Sequence, residues 1–138
     1  MDSDQGGPAQ RENPGLVHGE VTKAILAAAI EVHKHLGPGL LESAYESCVA
    51  RELARAGLRF QRQAELPVTY KGELIDAGFR LDLLVEDVVI VELKSVEKVL
   101  PVHEAQLMTY LKLSGKRVGL LINFNVNRLM DGVVRRVL

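Results

Sequence analysis

Three charged residues, Asp82, Glu92 and Lys94, interrupt the apolar runs that lie on either side of the acidic turn at residues 86–87. Burying an unpaired ionised side chain in an apolar environment costs several kcal/mol. A sequence that keeps such groups within buried strands must therefore pair them with one another or use them to bind a cation. The first alternative is a structural ion-pair network, and the second is a site that does chemistry.

The second alternative is a divalent-metal site. Residues i and i+2 of a strand share a face, so Glu92 and Lys94 point the same way and Leu93 anchors the strand on the other face. Magnesium prefers oxygen ligands and takes one or two protein carboxylates, which leaves positions for water and phosphate. Asp82 and Glu92 would then hold Mg²⁺ or Mn²⁺, and Lys94 would face the reacting phosphate.

Whether Asp82 and Glu92 converge depends on the connection between their strands. A two-residue turn at residues 86–87 would place the two carboxylates on opposite faces of the sheet, which would defeat a metal site. A three-residue loop, or a bulge in either strand, would pair Leu84 with Val88 and restore the convergence. We therefore predict an odd-length connection or a bulge.

Two further motifs lie on helices on either side of this segment. The first is Gly39-Leu-Leu-Glu42-Ser-Ala-Tyr45, and the second is Gln106-Leu-Met-Thr-Tyr110. Glu42 and Tyr45 are three residues apart and Gln106 and Tyr110 are four apart, so each pair shares a helical face. Taken by its type alone, Glu42 would be a solvated helix residue and Tyr45 a core residue.

The combination of these motifs resembles a known group of enzymes. Asp82 followed by Glu92-x-Lys94 resembles the motif of PD-(D/E)XK nucleases, and the motif from Gly39 to Tyr45 looks like the signature of the GxxExxY protein family in that superfamily. The motif from Gln106 to Tyr110 is similar to the QxxxY motif of the RecB-like branch. The three motifs stand in the expected order, and the resemblance covers residues 19–138.

The resemblance implies roles for several side chains. It implies Glu42 as an additional acidic group at the metal centre, and Gln106 and Tyr110 as groups that orient the substrate or the lysine. His103 lies one turn before Gln106, where it could either touch a metal-bound water or serve as a surface residue at the start of a helix. Tyr45 and His103 are therefore auxiliary candidates.

Apolar periodicity and turn residues predict the elements that must position these groups. Helices are expected over Gly19–Leu36, from about Leu40 to Ala56, and from Pro101 to about Leu113. A meander of antiparallel strands is expected over Leu58–Gln63, Leu66–Tyr70, Ala77–Val85 and Val88–Leu93. Strand Lys116–Asn123 should be buried and parallel to the strand before the last helix. Residues 128–138 should form an edge strand.

This order of elements predicts an α/β fold in a single domain. The sheet should be mixed and mostly antiparallel, with helices flanking it, and the resemblance to PD-(D/E)XK nucleases implies a restriction-endonuclease-like core. The domain should span residues 16–138. Residues 1–15, rich in Gly, Pro and polar side chains, should form a disordered tail.

Composition limits the classes of function. Hydrophobic residues make up 47% and charged residues 25% of the chain, as in ordinary soluble globular proteins. Basic and acidic side chains number 17 and 18, for a formal charge of −1, so nucleic-acid binding would have to be local. Its candidate is the arginine cluster at residues 51–62, which could be a rim that contacts phosphates or an ordinary solvated surface.

The cellular setting follows from what the sequence lacks. The single cysteine, Cys48, permits no intrachain disulfide, and the first residues contain neither a basic leader nor an apolar signal core. We expect a cytoplasmic protein without a membrane segment.

The sequence thus predicts a Mg²⁺- or Mn²⁺-dependent nuclease that hydrolyses phosphodiester bonds, with DNA favoured over RNA. The alternative is a catalytically silent nucleic-acid-binding or assembly module on the same fold. A homodimer would double the basic rim, but the sequence leaves the oligomeric state open.

Overall fold

The computed structural model describes residues 16–138, so the predicted tail at residues 1–15 lies outside the described residues. Three helices and seven strands make up the described chain. In order they are α1 (Gly19–Leu36), α2 (Glu42–Arg55), β1 (Phe60–Glu65), β2 (Val68–Tyr70), β3 (Glu73–Ile75), β4 (Arg80–Val85), β5 (Val89–Lys94), α3 (Pro101–Ser114), β6 (Val118–Asn123) and β7 (Val133–Val137). A short 3₁₀ helix, Leu129–Gly132, precedes β7.

Five of the strands form one mixed sheet in the order β1-β4-β5-β6-β7. The central strand β5 pairs antiparallel with β4 and parallel with β6, while the outer pairs β1–β4 and β6–β7 are antiparallel. The crossover between β5 and β6 is made by α3, as a parallel connection requires. The α/β fold class, the mixed sheet and the parallel pairing are therefore confirmed.

The helices cover the sheet on both faces, because strands β5 and β6 carry mostly apolar, buried side chains on both of theirs. One core joins α1 and α2 to the face that carries Leu83, Val91 and Leu93. The other joins α3 to the face that carries Leu84, Ile90 and Leu121. Helix α3 approaches β6 closely at Gly119, where a Cβ atom would lie 2.7 Å from a methyl carbon of Leu107.

The predicted four-strand meander is wrong in one respect. Strand β1 pairs directly with β4, and β2 instead forms a separate two-stranded hairpin with β3, a strand that the sequence pattern did not predict. Lys71 and Gly72 both adopt left-handed conformations, with φ of 51° and 84°, so they make a tight two-residue turn. That turn pairs Tyr70 with Glu73 and takes this segment out of the main sheet.

Strand β7 is an edge strand, as expected, although it begins at Val133 and not at residue 128. Within residues 16–138 no helix has the length and apolar content needed to cross a membrane.

Candidate active site

Strands β4 and β5 are joined by a connection of odd length, as predicted. Val85 pairs with Val89, so three residues separate the paired positions. The amide of Val88 donates to the carbonyl of Val85 at 3.0 Å, across a turn whose two central residues are left-handed. Val88 therefore lies between the turn and the first paired residue of β5 and has no partner in the β4–β5 ladder. Leu84 pairs with Ile90. The predicted pairing of Leu84 with Val88 is wrong by two residues, which leaves every side chain on its predicted face.

Asp82 and Glu92 lie where the ladder between the two strands ends. The last paired residues are Leu83 and Val91, and side chains take over beyond them. The backbone amide of Asp82 donates to Glu92 Oε2 at 3.0 Å, and the backbone amide of Leu93 donates to Asp82 Oδ2 at 2.8 Å. Each carboxylate thus receives an amide hydrogen bond from the opposite strand, and this exchange holds the two acidic side chains next to each other.

Proximity and burial destabilise the ionised forms of both carboxyl groups. Glu92 is only 6% exposed. Burial, followed by the negative charge of Asp82, raises its pKa to about 8, while the charge of Lys94 acts in the opposite direction. Burial also raises the pKa of Asp82, against hydrogen bonds from Leu93 and Gln63 that lower it. The pair is a concentration of negative charge that favours a bound proton or cation.

Lys94 stands two residues beyond Glu92 at the end of β5 and is half-buried. The residue between them, Leu93, is buried in the core under α1 and α2, so the predicted alternation along this strand is confirmed. In the described part of the chain no salt bridge joins Lys94 to either Asp82 or Glu92. The two carboxylates are held by backbone amides, an arrangement different from a structural ion-pair network.

The motif from Gly39 to Tyr45 builds the loop that delivers Glu42 to this site. Gly39 has a φ of 98°, a conformation that side-chain-bearing residues avoid. The hydroxyl of Tyr45 donates to the carbonyl of Gly37 at 2.6 Å and accepts from the amide of Leu40 at 3.1 Å. Its buried ring stacks on Phe124 at 4.3 Å. Tyr45 thus fixes the loop from within the core.

Glu42 is the first residue of α2 and is exposed. Its negative charge contributes to the raised pKa values of both Asp82 and Glu92, so it lies on the same side of the molecule as that pair. Ser95, the residue after Lys94, ties the loop to β5 because its hydroxyl donates to the carbonyl of Leu40 at 2.6 Å. The structure therefore brings Glu42 toward the two central carboxylates.

Helix α3 brings Tyr110 to the site from the other side. Tyr110 is 7% exposed, and its pKa is raised first by burial and then by the charges of Glu92 and Asp82. Gln106, one turn earlier, is exposed. His103 caps its own helix, since its Nδ1 accepts a hydrogen bond from the amide of Leu100 at 3.0 Å. This capping contact is consistent with the role of His103 as a surface residue at the start of a helix, the alternative to contact with a metal-bound water.

A family model for the PD-(D/E)XK nuclease superfamily matches residues 19–137, nearly all of the described chain. The chain belongs to the PD-(D/E)XK nuclease superfamily. Searches of curated proteins and of solved structures gave no match. The α/β architecture with its mixed sheet is consistent with the restriction-endonuclease-like core of this superfamily. The narrower resemblance to the GxxExxY family stays a prediction.

Two residues beside this candidate site, Glu46 and Gln63, were not singled out from the sequence. The side-chain amide of Gln63 donates to Oδ1 of Asp82 and to Oε1 of Glu46. Asn123, almost fully buried, accepts from the amide of Val96 at 3.0 Å and donates to its carbonyl at 2.9 Å. It thereby holds the loop that follows Lys94. In the sequence, Asn123 begins the asparagine-rich segment 123–127, a pattern typical of a turn after a strand, with contact to bases as the functional alternative.

Three of the four arginines in the cluster at residues 51–62 are paired with carboxylates, so the cluster is not an unpaired basic surface beside the candidate site. Arg55 pairs with Glu52, Arg59 with Glu86 and Arg62 with Glu46, at N–O distances of 3.2, 3.1 and 3.0 Å. These pairs neutralise most of the positive charge that the sequence suggested for contacting phosphates. Arg51 is exposed. The structure therefore favours the solvated-surface interpretation of this cluster.

The donor set suits a hard divalent cation of the kind that this superfamily implies. Asp82 and Glu92 offer adjacent carboxylate oxygens whose ionised forms lack compensating charge, which a bound Mg²⁺ or Mn²⁺ would supply. Within residues 16–138 no three His, Cys, Asp or Glu side chains converge into a ready metal cage. The arrangement offers two carboxylates with further acidic charge from Glu42, which fits a cation that also keeps water and substrate ligands.

Proposed function

We propose that this protein is a divalent-metal-dependent nuclease that hydrolyses phosphodiester bonds at the site formed by Asp82, Glu92 and Lys94. The observation that carries the proposal is the crossed pair of hydrogen bonds that holds the two carboxylates together at the end of the β4–β5 ladder. A protein gains little stability from placing two acidic groups side by side in a buried position. Acidic groups that are kept together at the expense of stability are typical of functional sites.

Asp82 and Glu92 are the proposed metal ligands, and Glu42 adds negative charge that supports the cation. A divalent ion bound there would polarise the phosphate and lower the pKa of a coordinated water. Such a cation would also stabilise the ionised forms of both carboxyl groups, whose pKa values are raised in the protein alone. Metal binding and carboxylate ionisation are therefore expected to occur together.

Lys94 is the proposed electrostatic group for the reaction itself. In hydrolysis, a water oxygen bonds to phosphorus, the bond from phosphorus to the leaving sugar oxygen breaks, and a proton passes to that leaving oxygen. The phosphoryl oxygens carry additional negative charge as this happens. The ammonium group of Lys94, on the same strand face as Glu92, stabilises that charge where it develops.

Tyr110 and Gln106 are the proposed orienting groups on α3. The phenol of Tyr110 is protonated at neutral pH, since its pKa is raised further above the ordinary value of 10, so its hydroxyl is available as a hydrogen-bond donor. The exposed amide of Gln106, one turn earlier, can both donate and accept hydrogen bonds at the substrate side. Tyr45 and His103 act through the loop and the helix end that they hold.

DNA is the proposed substrate, with RNA as the other candidate. The formal charge of −1 and the paired arginines leave the protein with little general attraction for a polyanion. Binding should therefore depend on the metal and on Lys94. Affinity that depends strongly on the cation and weakly on salt is the expected signature, because few phosphate contacts release few counterions.

The test is cleavage of labelled single- and double-stranded DNA and RNA by wild type, Lys94→Ala and Lys98→Ala, in Mg²⁺, Mn²⁺ or chelator. Lys98 is an exposed lysine four residues further along and serves as the matched control. We expect metal-dependent cleavage by wild type and Lys98→Ala, and a loss of about 10²–10³-fold or more in Lys94→Ala.

Failure to cut any of the four substrates, together with no metal binding by calorimetry, would contradict the proposed activity. The nuclease fold would then serve for nucleic-acid binding or assembly.

A further inference from the structure

Gln63 adopts an unusual backbone conformation in the middle of strand β1. Its φ is 49°, in the left-handed region that a residue with a side chain occupies at an energetic cost. Its neighbours Arg62 and Ala64 pair with β4 in regular register, but the pair between Gln63 and Asp82 is missing from the ladder. The local distortion therefore lies directly opposite a proposed metal ligand.

The side chain of Gln63 links two carboxylates from different elements. Its Nε2 lies 2.6 Å from Oε1 of Glu46 on α2 and 3.3 Å from Oδ1 of Asp82 on β4. The amide nitrogen carries two hydrogens, so it can donate to both oxygens at once. The distorted strand thus places one neutral donor between two acidic groups.

Glu46 is itself held in place. It is 8% exposed, and its second oxygen, Oε2, accepts a hydrogen bond from Nε of Arg62 at 3.0 Å. Both carboxylate oxygens of Glu46 are therefore engaged by neighbouring residues of β1. A buried carboxylate with two fixed donors is a rigid anchor for the amide of Gln63.

We propose that Gln63 and Glu46 are positioning residues that orient Asp82 for the divalent cation; this inference rests on the proposed function of Asp82 as a metal ligand. With Leu93 donating to Oδ2 and Gln63 donating to Oδ1, the carboxylate of Asp82 is fixed at both ends. Each oxygen retains a lone pair for a cation. Outer groups that fix a ligand in this way affect metal affinity by about 10–100-fold when removed.

Two substitutions of Gln63 that differ in their effect on backbone strain can distinguish a positioning role from a purely structural one. Gln63→Gly removes both hydrogen bonds and also relieves the left-handed conformation, because glycine adopts it freely. Gln63→Met keeps the length and the strained backbone but has no donor. The two variants should therefore differ in stability while losing metal affinity to a similar extent. Neither changes the charge of the site.

The experiment is a calorimetric titration with Mn²⁺ of wild type, Gln63→Gly, Gln63→Met and Lys71→Gly, with thermal unfolding of each in chelator. Lys71 has a φ of 51° in the β2–β3 turn, so Lys71→Gly relieves the same kind of strain away from the carboxylates. We expect both Gln63 variants to bind Mn²⁺ about tenfold more weakly, and Lys71→Gly to bind like wild type. Gln63→Gly should unfold at a temperature no lower than Gln63→Met.

Wild-type Mn²⁺ affinity in both Gln63 variants would overturn the inference and leave the proposed function intact. Loss of affinity only in the variant with the lower unfolding temperature would also overturn it, since stability and not positioning would then explain the loss. Failure of wild type to bind Mn²⁺ would overturn the proposed metal site together with the inference.

Discussion

The two ends of the β4–β5 strand pair are held together in different ways. At the end next to the turn, which we call the hairpin end (residues 83–91), backbone hydrogen bonds join strands whose side chains are apolar and buried. At the other end, which we call the open end (residues 80–82 and 92–94), the amides donate to the carboxylates of Asp82 and Glu92. One short pair of strands thus contains both a stable core and a costly polar arrangement.

The difference shows how a small domain can support a destabilising site. The hairpin end contributes apolar burial on both sheet faces, which is the main favourable term in folding. At the open end two acidic groups are adjacent and partly desolvated, which lowers the stability of the folded protein. Substitutions at the two ends should therefore affect different properties, and three predictions follow from this contrast.

The largest effect is expected from Asp82→Asn at the open end. The amide oxygen of asparagine can still accept from Leu93. Its NH2 group replaces the oxygen that accepts from Gln63, and the variant loses a charge that the cation needs. Metal-dependent cleavage should fall by about 10²–10³-fold. The thermal unfolding temperature in chelator should stay close to that of wild type, because the relieved repulsion with Glu92 offsets the lost hydrogen bond from Gln63.

Asp87→Asn is the matched control for Asp82→Asn, because Asp87 lies in the turn of the same strand pair and is exposed. It should cleave like wild type. An equal loss in both variants, or a large fall in the stability of Asp82→Asn, would contradict the assignment of the two ends.

The second effect is on stability and belongs to the hairpin end. Leu83 is fully buried under α1 and α2, so Leu83→Ala should lower the free energy of unfolding by about 2–5 kcal/mol through lost burial and a cavity. Urea unfolding measures this change. Leu74→Ala, at a side chain that is 73% exposed, should change it little. Cleavage per folded molecule should be retained in Leu83→Ala, and its loss would show that the two ends are not separable.

The third and smallest effect is a pH dependence at the open end. Glu92 has a pKa of about 8 in the folded protein and 4.5 as the ordinary value. Between these values the folded state binds more protons than the unfolded state, so the free energy of unfolding falls as pH rises. The contribution is fully present below pH 4.5 and is lost above about pH 8. A shift from 4.5 to about 8 sets a ceiling of about 5 kcal/mol, at about 1.4 kcal/mol per pKa unit. Relaxation of the protein around the ionised carboxylate reduces this, and we expect a decrease on the order of 1–3 kcal/mol in chelator.

Glu92→Gln cannot ionise, so its stability should vary less over the same pH range. Its amide oxygen can still accept from Asp82, which keeps the local geometry. The exposed Glu97 provides the control substitution Glu97→Gln, which should follow the wild-type profile. The free energy of unfolding is measured by urea titration at several pH values. If it depends on pH in the same way for wild type and Glu92→Gln, the pKa of Glu92 is not raised.

Residue type and local spacing were sufficient to predict most of the fold. The apolar period of α1, the proline at the start of α3 and the apolar run in β6 each reflect interactions within one element or between one element and water. Strand alternation at Glu92, Leu93 and Lys94 could be predicted for the same reason. The hairpin β2–β3 was missed because its side chains are largely exposed, so no hydrophobic pattern marked β3 as a strand.

The sequence by itself determined which charged residues lie within buried strands, because two carboxylates and a lysine in such strands need a partner or a cation. That Asp82 and Glu92 share a face depended on the register of their strands. Only the tertiary structure decided which residues support them. The exact pairing of β4 with β5 depends on one extra residue, Val88, after the turn. The contacts of Gln63 with Glu46 and Asp82 join positions 17 and 19 residues apart. Such contacts arise from packing between elements, which no local pattern encodes.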